Sequence, residues 1–137
     1  MAALATDRDT KRREGIQEGY PVKAAAKIYA GAIGAVDATG YAVPGGVATT
    51  LKCVGVSVAR YDNTAGASGD LIAVFDKRPH WLANSTAGDL IVLTDVGASC
   101  YIVDDQTVAK TNGTSTRSVA GKIVNVSASL GVLVDFR

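Results

Sequence analysis

From residue 21 onward the apolar positions come in short bursts cut every 8 to 12 residues by Gly, Pro, Asn, Asp or Ser, without the three-to-four-residue spacing of a helix. The chain holds 17 valines against 8 leucines. Side chains branched at Cβ are stiff and pack well on a pleated surface, so this bias predicts strands. Over residues 51–60 one parity carries Val54, Val56 and Val58 and the other Leu51, Cys53, Gly55, Ser57 and Ala59. Both faces are nearly apolar, which predicts a strand inside a sheet. In residues 71–76 Leu71, Ala73 and Phe75 alternate with Ile72, Val74 and Asp76, and the polar run 61–70 is read as the loop joining these two strands. Residues 123–126 and 130–136, separated by Ser127-Ala128-Ser129, predict a hairpin with Leu130, Val132, Val134 and Phe136 on one face. Further strands are expected at 22–29, 32–37, 41–43, 90–93 and 101–104, with a tight turn at Asn112-Gly113. Eight to ten short strands with frequent turns imply an all-β chain: a single jelly-roll-like β-sandwich or a small β-barrel.

The first twenty residues are different in texture. Asp7, Asp9, Glu14 and Glu18 mix with Arg8, Lys11, Arg12 and Arg13, and only Leu4, Ile16 and Tyr20 are sizeable apolar side chains. That is too little to build a core, and Gly15 and Gly19 weaken any helix. The chain therefore divides into an extended N-terminal arm, residues 1–20, and a β-domain, residues 21–137. On exposure and residue type, Leu4, Ile16 and Tyr20 are candidate anchors of the arm, Arg12 and Arg13 its candidate charged contacts, and Tyr61 and Trp81 candidate loop contacts.

Composition narrows the function. At 137 residues, 47% hydrophobic and 20% charged, the chain is sized for one folded domain. A net charge of +1 supplies no field to hold nucleic acid or an anionic membrane, so neither is expected as a partner. No apolar run approaches the roughly 18 residues of a membrane span, and the first twenty residues lack the apolar stretch of a signal peptide, so synthesis in the cytoplasm is expected. Without a secretory route, the Asn-x-Ser/Thr triplets at Asn84, Asn112 and Asn125 carry no weight.

The residue types that carry chemistry do not assemble into a pattern. Cys53 and Cys100 stand alone with no CxxC, which reads as two buried thiols rather than a zinc site. His80 is the only imidazole, and nucleophilic catalysis needs a base beside the nucleophile and an orienter behind it. Asp104 and Asp105 are neighbours whose side chains diverge along a strand, so they are read as turn formers. Asp62, Asn63 and Asp70 lack the spacing and the bidentate Glu of a calcium loop. The glycines form neither GxGxxG nor a phosphate loop. No catalytic residue, cofactor, metal or small-molecule substrate is expected, and a chain of this kind works by contact.

Six segments in one order carry a resemblance: Ile28-Tyr29-Ala30-Gly31-Ala32; Val36-Asp37-Ala38-Thr39-Gly40-Tyr41-Ala42-Val43-Pro44; Val54-Gly55-Val56; Asp62 through Asp70; Tyr101 through Ala109; and Arg117-Ser118-Val119-Ala120-Gly121-Lys122-Ile123. Together they resemble the head-decoration, or capsid cement, proteins of tailed bacteriophages, across about residues 21–137. The resemblance implies a virion structural protein on the outer surface of an icosahedral capsid, a homo-oligomer that bridges neighbouring major capsid proteins. A dimer is favoured over a trimer. The arm matches nothing in that family. The alternative is a carbohydrate- or receptor-binding β-module of a virion spike or tail that stacks ligands on Trp81 and Tyr61.

Overall fold

The computed structural model describes residues 2–137, so Met1 lies outside it. The chain is all-β. Its strands run β1 (Gln17–Pro21), β2 (Lys27–Ile28), β3 (Ile33–Val36), β4 (Ala42–Pro44), β5 (Lys52–Ser57), β6 (Tyr61–Asp62), β7 (Ile72–Asp76), β8 (His80–Asn84), β9 (Ser99–Ile102), β10 (Thr107–Ala109), β11 (Val119–Ser127) and β12 (Gly131–Asp135). The first half forms a five-stranded antiparallel sheet in the order β1-β7-β5-β3-β4, with β2 and β6 paired as a small ribbon. A bridge between Val22 and Ala42 draws the two edges of that sheet toward each other. The second half is a closed barrel of five strands, β10-β8-β12-β11-β9, in which only β10 and β8 run parallel. The fold is all-β as expected, with a closed barrel in its second half and an open sheet in its first.

Each half has its own core. Inside the barrel lie Leu82, Ile91, Cys100, Ile102, Val108, Ile123, Val132 and Val134; within the sheet half lie Val22, Ile28, Ala42, Val54, Ala73 and Phe75. Strand β5 serves both, because the register between β3 and β5 shifts at Gly34/Ala35 and leaves Val54 without a partner. Residues two apart on a regular strand share a face, yet here Val54 packs into the sheet core and Val56 into the barrel core. Gly55, at φ 119°, makes the bulge possible, and a Cβ at that position would run into the Asp76 carbonyl. Polar ties add to this seam: the Ser118 hydroxyl donates to the Ala48 carbonyl at 2.6 Å and accepts from the Leu51 amide at 3.1 Å. The Ile33 amide donates to the Asp105 carbonyl at 2.7 Å.

The expected strands at 32–37, 41–43, 51–60, 71–76 and 101–104 and the C-terminal hairpin are present within a few residues, and β5 is the middle strand of its sheet. Four expectations are corrected. Residues 17–20 belong to the sheet rather than to the arm, since Gln17 to Pro21 pair with Asp76 to Ile72 of β7. Residues 22–29 form only the short β2, because Val22 bridges to Ala42 and the backbone then turns through Ala25 at φ 62°. The run at 90–93 is not a strand: its backbone is bonded by the Asn84 side chain and passes into a 3-10 turn at Leu93–Asp95. Leu130 leaves the buried face it was expected to share with Val132 and Val134, because it sits in the hairpin turn and is 56% exposed.

The loop 61–70 is held by its own side chains. The Asn63 amide, nearly fully buried, donates to the carbonyls of Lys23 at 3.0 Å, Ala67 at 2.9 Å and Val22 at 3.4 Å. Asp62 accepts from the Thr64 amide at 3.1 Å and its hydroxyl at 2.7 Å, and Asp70 accepts from the Ala67 amide at 2.9 Å. Asp104 likewise closes the turn into β10 by accepting from the amides of Gln106 at 2.9 Å and Thr107 at 2.7 Å.

Candidate functional site

The structure separates the residues singled out in the sequence. Leu4, Arg12 and Arg13 are exposed on residues 2–16, which carry no regular secondary structure; Arg13 pairs with Glu18 at 3.1 Å across solvent. Ile16 lies at the root of the arm, where its carbonyl accepts from the Lys77 amide at 2.8 Å. Tyr20 is not an arm anchor: it stands on β1 against the sheet core, its ring 6.3 Å from that of Phe75. Tyr61, on β6, also packs on that core rather than standing free in a loop. Trp81 is on β8 rather than in a loop, and the residue is 38% exposed.

Trp81 lines a groove of about 820 Å³ over one end of the barrel. Strand β8 supplies its floor, the segment 90–93 one wall, and the hairpin turn 126–131 the other. Several of the lining side chains are apolar and unpartnered: Leu93 is 64% exposed and Leu130 56%, with Leu90 and Val92 also open to solvent, beside the polar Ser127 and Ser129. Leucines leave water readily, so an open cluster of this kind is a candidate contact surface. None of the side chains around the groove is charged, in a chain one-fifth charged overall.

Polar groups behind the groove fix its shape. The Asn84 amide donates to the Ile91 carbonyl at 2.8 Å while its oxygen accepts from the Ile91 amide at 3.0 Å, so one side chain stands in for a neighbouring strand. That clamp drives Ile91 into the barrel core and turns Leu90 and Val92 outward. Behind it, Asp89 accepts from Arg117 at 3.0 Å and from the Thr111 hydroxyl, and Lys110 pairs with Asp95 at 3.0 Å. Both carboxyls are held below the usual carboxylate range, Asp89 by the Thr111 hydroxyl and Arg117, Asp95 by the Val92 amide and Lys110. The wall is thus held by contacts within the chain itself.

The nucleophile and ligand candidates are engaged elsewhere. Burial pushes the Cys53 thiol up to about 12 and Cys100 to about 11. A nucleophilic cysteine needs the opposite, a stabilised thiolate. His80 Nδ1 lies 2.7 Å from the Arg78 carbonyl, and the ring faces Phe136. Asp76 accepts from Arg78 Nε at 3.0 Å and from Gln17 at 3.3 Å. Among the described residues, no three His, Cys, Asp or Glu side chains cluster as metal ligands would. Sequence reasoning found Trp81 by its residue type but missed Leu90, Leu93, Leu130 and Asn84, which come from three separate segments. The one signal available was the Leu90-Ile91-Val92-Leu93 run, too apolar for a simple loop.

A scan against protein-family models, a search of curated proteins and a search of solved structures each return no match to this chain.

Proposed function

We propose that this protein is a non-enzymatic structural component of a tailed-bacteriophage virion. It binds the outer surface of the icosahedral capsid as a small homo-oligomer and cements neighbouring major capsid proteins. The single observation that carries this reading is the joining of an exposed segment, residues 2–16, to a rigid β-body through an edge strand. Fully extended, fifteen residues reach about 50 Å. A body of this size has a radius of gyration of about 14 Å, so the arm extends well past its own domain. Such a strap crosses a subunit junction and becomes ordered where its site exists. Internal pressure pulls a shell apart at those junctions, and many copies of a bridging clip resist together. The sequence resemblance supports the same reading for the β-domain.

The test is an image reconstruction of the source virion. Density for this chain on the outer shell, touching more than one capsid subunit, is expected; density in the tail, or inside the head, overturns the reading.

The carbohydrate- or receptor-binding alternative draws on the Trp81 groove. Tyr61 is not among the residues that line it, so any stacking falls to a single aromatic side chain. Strong hits on a glycan array that Trp81→Ala abolishes would favour that alternative.

A further inference from the structure

We infer that the groove at the end of the barrel receives residues 2–6 of a second copy of this chain, with Leu4 seated against Trp81, so that two copies exchange arms. The inference deepens the reading above by naming the contact that makes the homo-oligomer.

Charge selects the occupant. From Asp7 to Glu14 the arm carries a charge at nearly every position, and a groove walled only by uncharged side chains would strip those charges of water without offering partners. Residues 2–6, Ala-Ala-Leu-Ala-Thr, are the one uncharged stretch of the arm, and Leu4 is its one large apolar side chain. Leu4 is 73% exposed in the single chain, as unpartnered as Leu93 and Leu130 on the groove walls. The small alanines on either side let the backbone come close to those walls.

The barrel itself dictates the mode of docking. Its strands close on one another, so it presents no free ladder to which an incoming strand could add. An arriving segment must be held by a side chain in a depression, which is what Leu4 and the groove supply. The donor is assigned to a second molecule because residues 2–16 are exposed throughout and none of them lines the groove of the same chain. Reciprocal exchange is favoured over a chain of one-way contacts, since once one arm is seated the second binds as an intramolecular step. The product has two-fold symmetry, each copy giving an arm and receiving one.

Trp81 is the only tryptophan in the chain, so its emission reports on the groove directly. The test uses the isolated full-length protein, without capsid, in sedimentation over a concentration series with tryptophan emission recorded alongside. Expected are a dimer that forms with concentration, a shift of emission to shorter wavelength as it forms, and weakening of association by roughly a hundred-fold or more in Leu4→Asp, which removes one buried leucine, worth roughly ten- to a hundred-fold, from each of the two exchanged arms. Leu93→Asp, on the opposite partner of the contact, gives the same loss. Single variants Leu4→Cys and Leu130→Cys, mixed and mildly oxidised, give a covalent dimer, whereas neither alone does. A monomer at every concentration, a dimer indifferent to Leu4→Asp, or a cross-link that forms only when both cysteines are on one chain overturns the inference. Because no shell is present, such a result leaves the virion reconstruction as a separate test of the functional reading.

Discussion

Enlarging Gly34 to alanine is the sharpest test of how the two cores are packed. Gly34 lies on β3 beside the bulge, and a Cβ at that position would fall within the Phe75 ring, 2.5 Å from Cδ1 and 2.6 Å from Cζ. Phe75 is fully buried, so its ring has no solvent to move into. Overpacking of this kind costs about 1–3 kcal/mol, more than the few tenths to about 1 kcal/mol that glycine-to-alanine returns by restricting the unfolded chain. Gly34→Ala should therefore lower stability by about 1–3 kcal/mol. Phe75→Leu on its own leaves a cavity and costs about 1–2 kcal/mol. The two together should cost less than their sum, because the smaller side chain vacates the volume that the new methyl needs. A coupling of about 1–2 kcal/mol in the stabilising direction is expected from urea unfolding of the four proteins followed by circular dichroism. Additive losses, or a neutral Gly34→Ala, would show that the ring does not press on this glycine and that the core is looser than described.

Three further outcomes follow from the same physical reasoning. Removing residues 2–16 should leave the unfolding midpoint within about 0.5 kcal/mol of the intact chain, whereas removing 2–20 strips β1 from β7 and Tyr20 from Phe75 and should cost about 2–4 kcal/mol. Equal losses in thermal melts would place the arm boundary wrongly. The Asp37 carboxyl is held far below its ordinary range first by Lys23 at 2.5 Å and by Thr39, and Asp76 first by Arg78; their contribution is therefore complete above the unfolded carboxylate value of about 3.9 and is lost as pH falls through the lower folded values. Denaturant midpoints should fall from about pH 4 downward, and in Asp37→Asn that acid slope should be shallower; an unchanged slope contradicts the assignment. Asn63→Asp keeps the shape but faces a carboxylate toward three carbonyl oxygens, which raises its folded pKa, so the variant should be closest to wild type below about pH 4 and about 2–4 kcal/mol less stable at pH 7. A loss independent of pH would point to packing instead.

What the sequence made legible is what local physics controls. Valine-rich alternation marked β5 and β7, and the Ser-Ala-Ser break marked the C-terminal hairpin, because period and turn chemistry are written in neighbouring residues. Strand β1 was invisible for the opposite reason: Gln-Glu-Gly-Tyr-Pro has one large apolar side chain, and it is a strand because β7 offers it a ladder. Strand β8 is similar, with only Leu82 buried among His80, Trp81, Ala83 and Asn84. The apolar run at 90–93 has the residue types of a strand, but Asn84 fills its hydrogen-bonding groups. The groove shows the same limit at the level of the site. The aromatic at position 81 can be noticed in one dimension, while the leucines opposite it are brought there only by closure of the barrel.

The kink at Gly55 also shapes how the molecule comes apart. Since one continuous strand lends consecutive valines to opposite interiors, neither half can loosen without dragging a side chain out of the other. Heat or force applied anywhere on the body is therefore shared by both compartments, which yield as a unit. On the proposed capsid reading, failure belongs at the strap rather than within the clip.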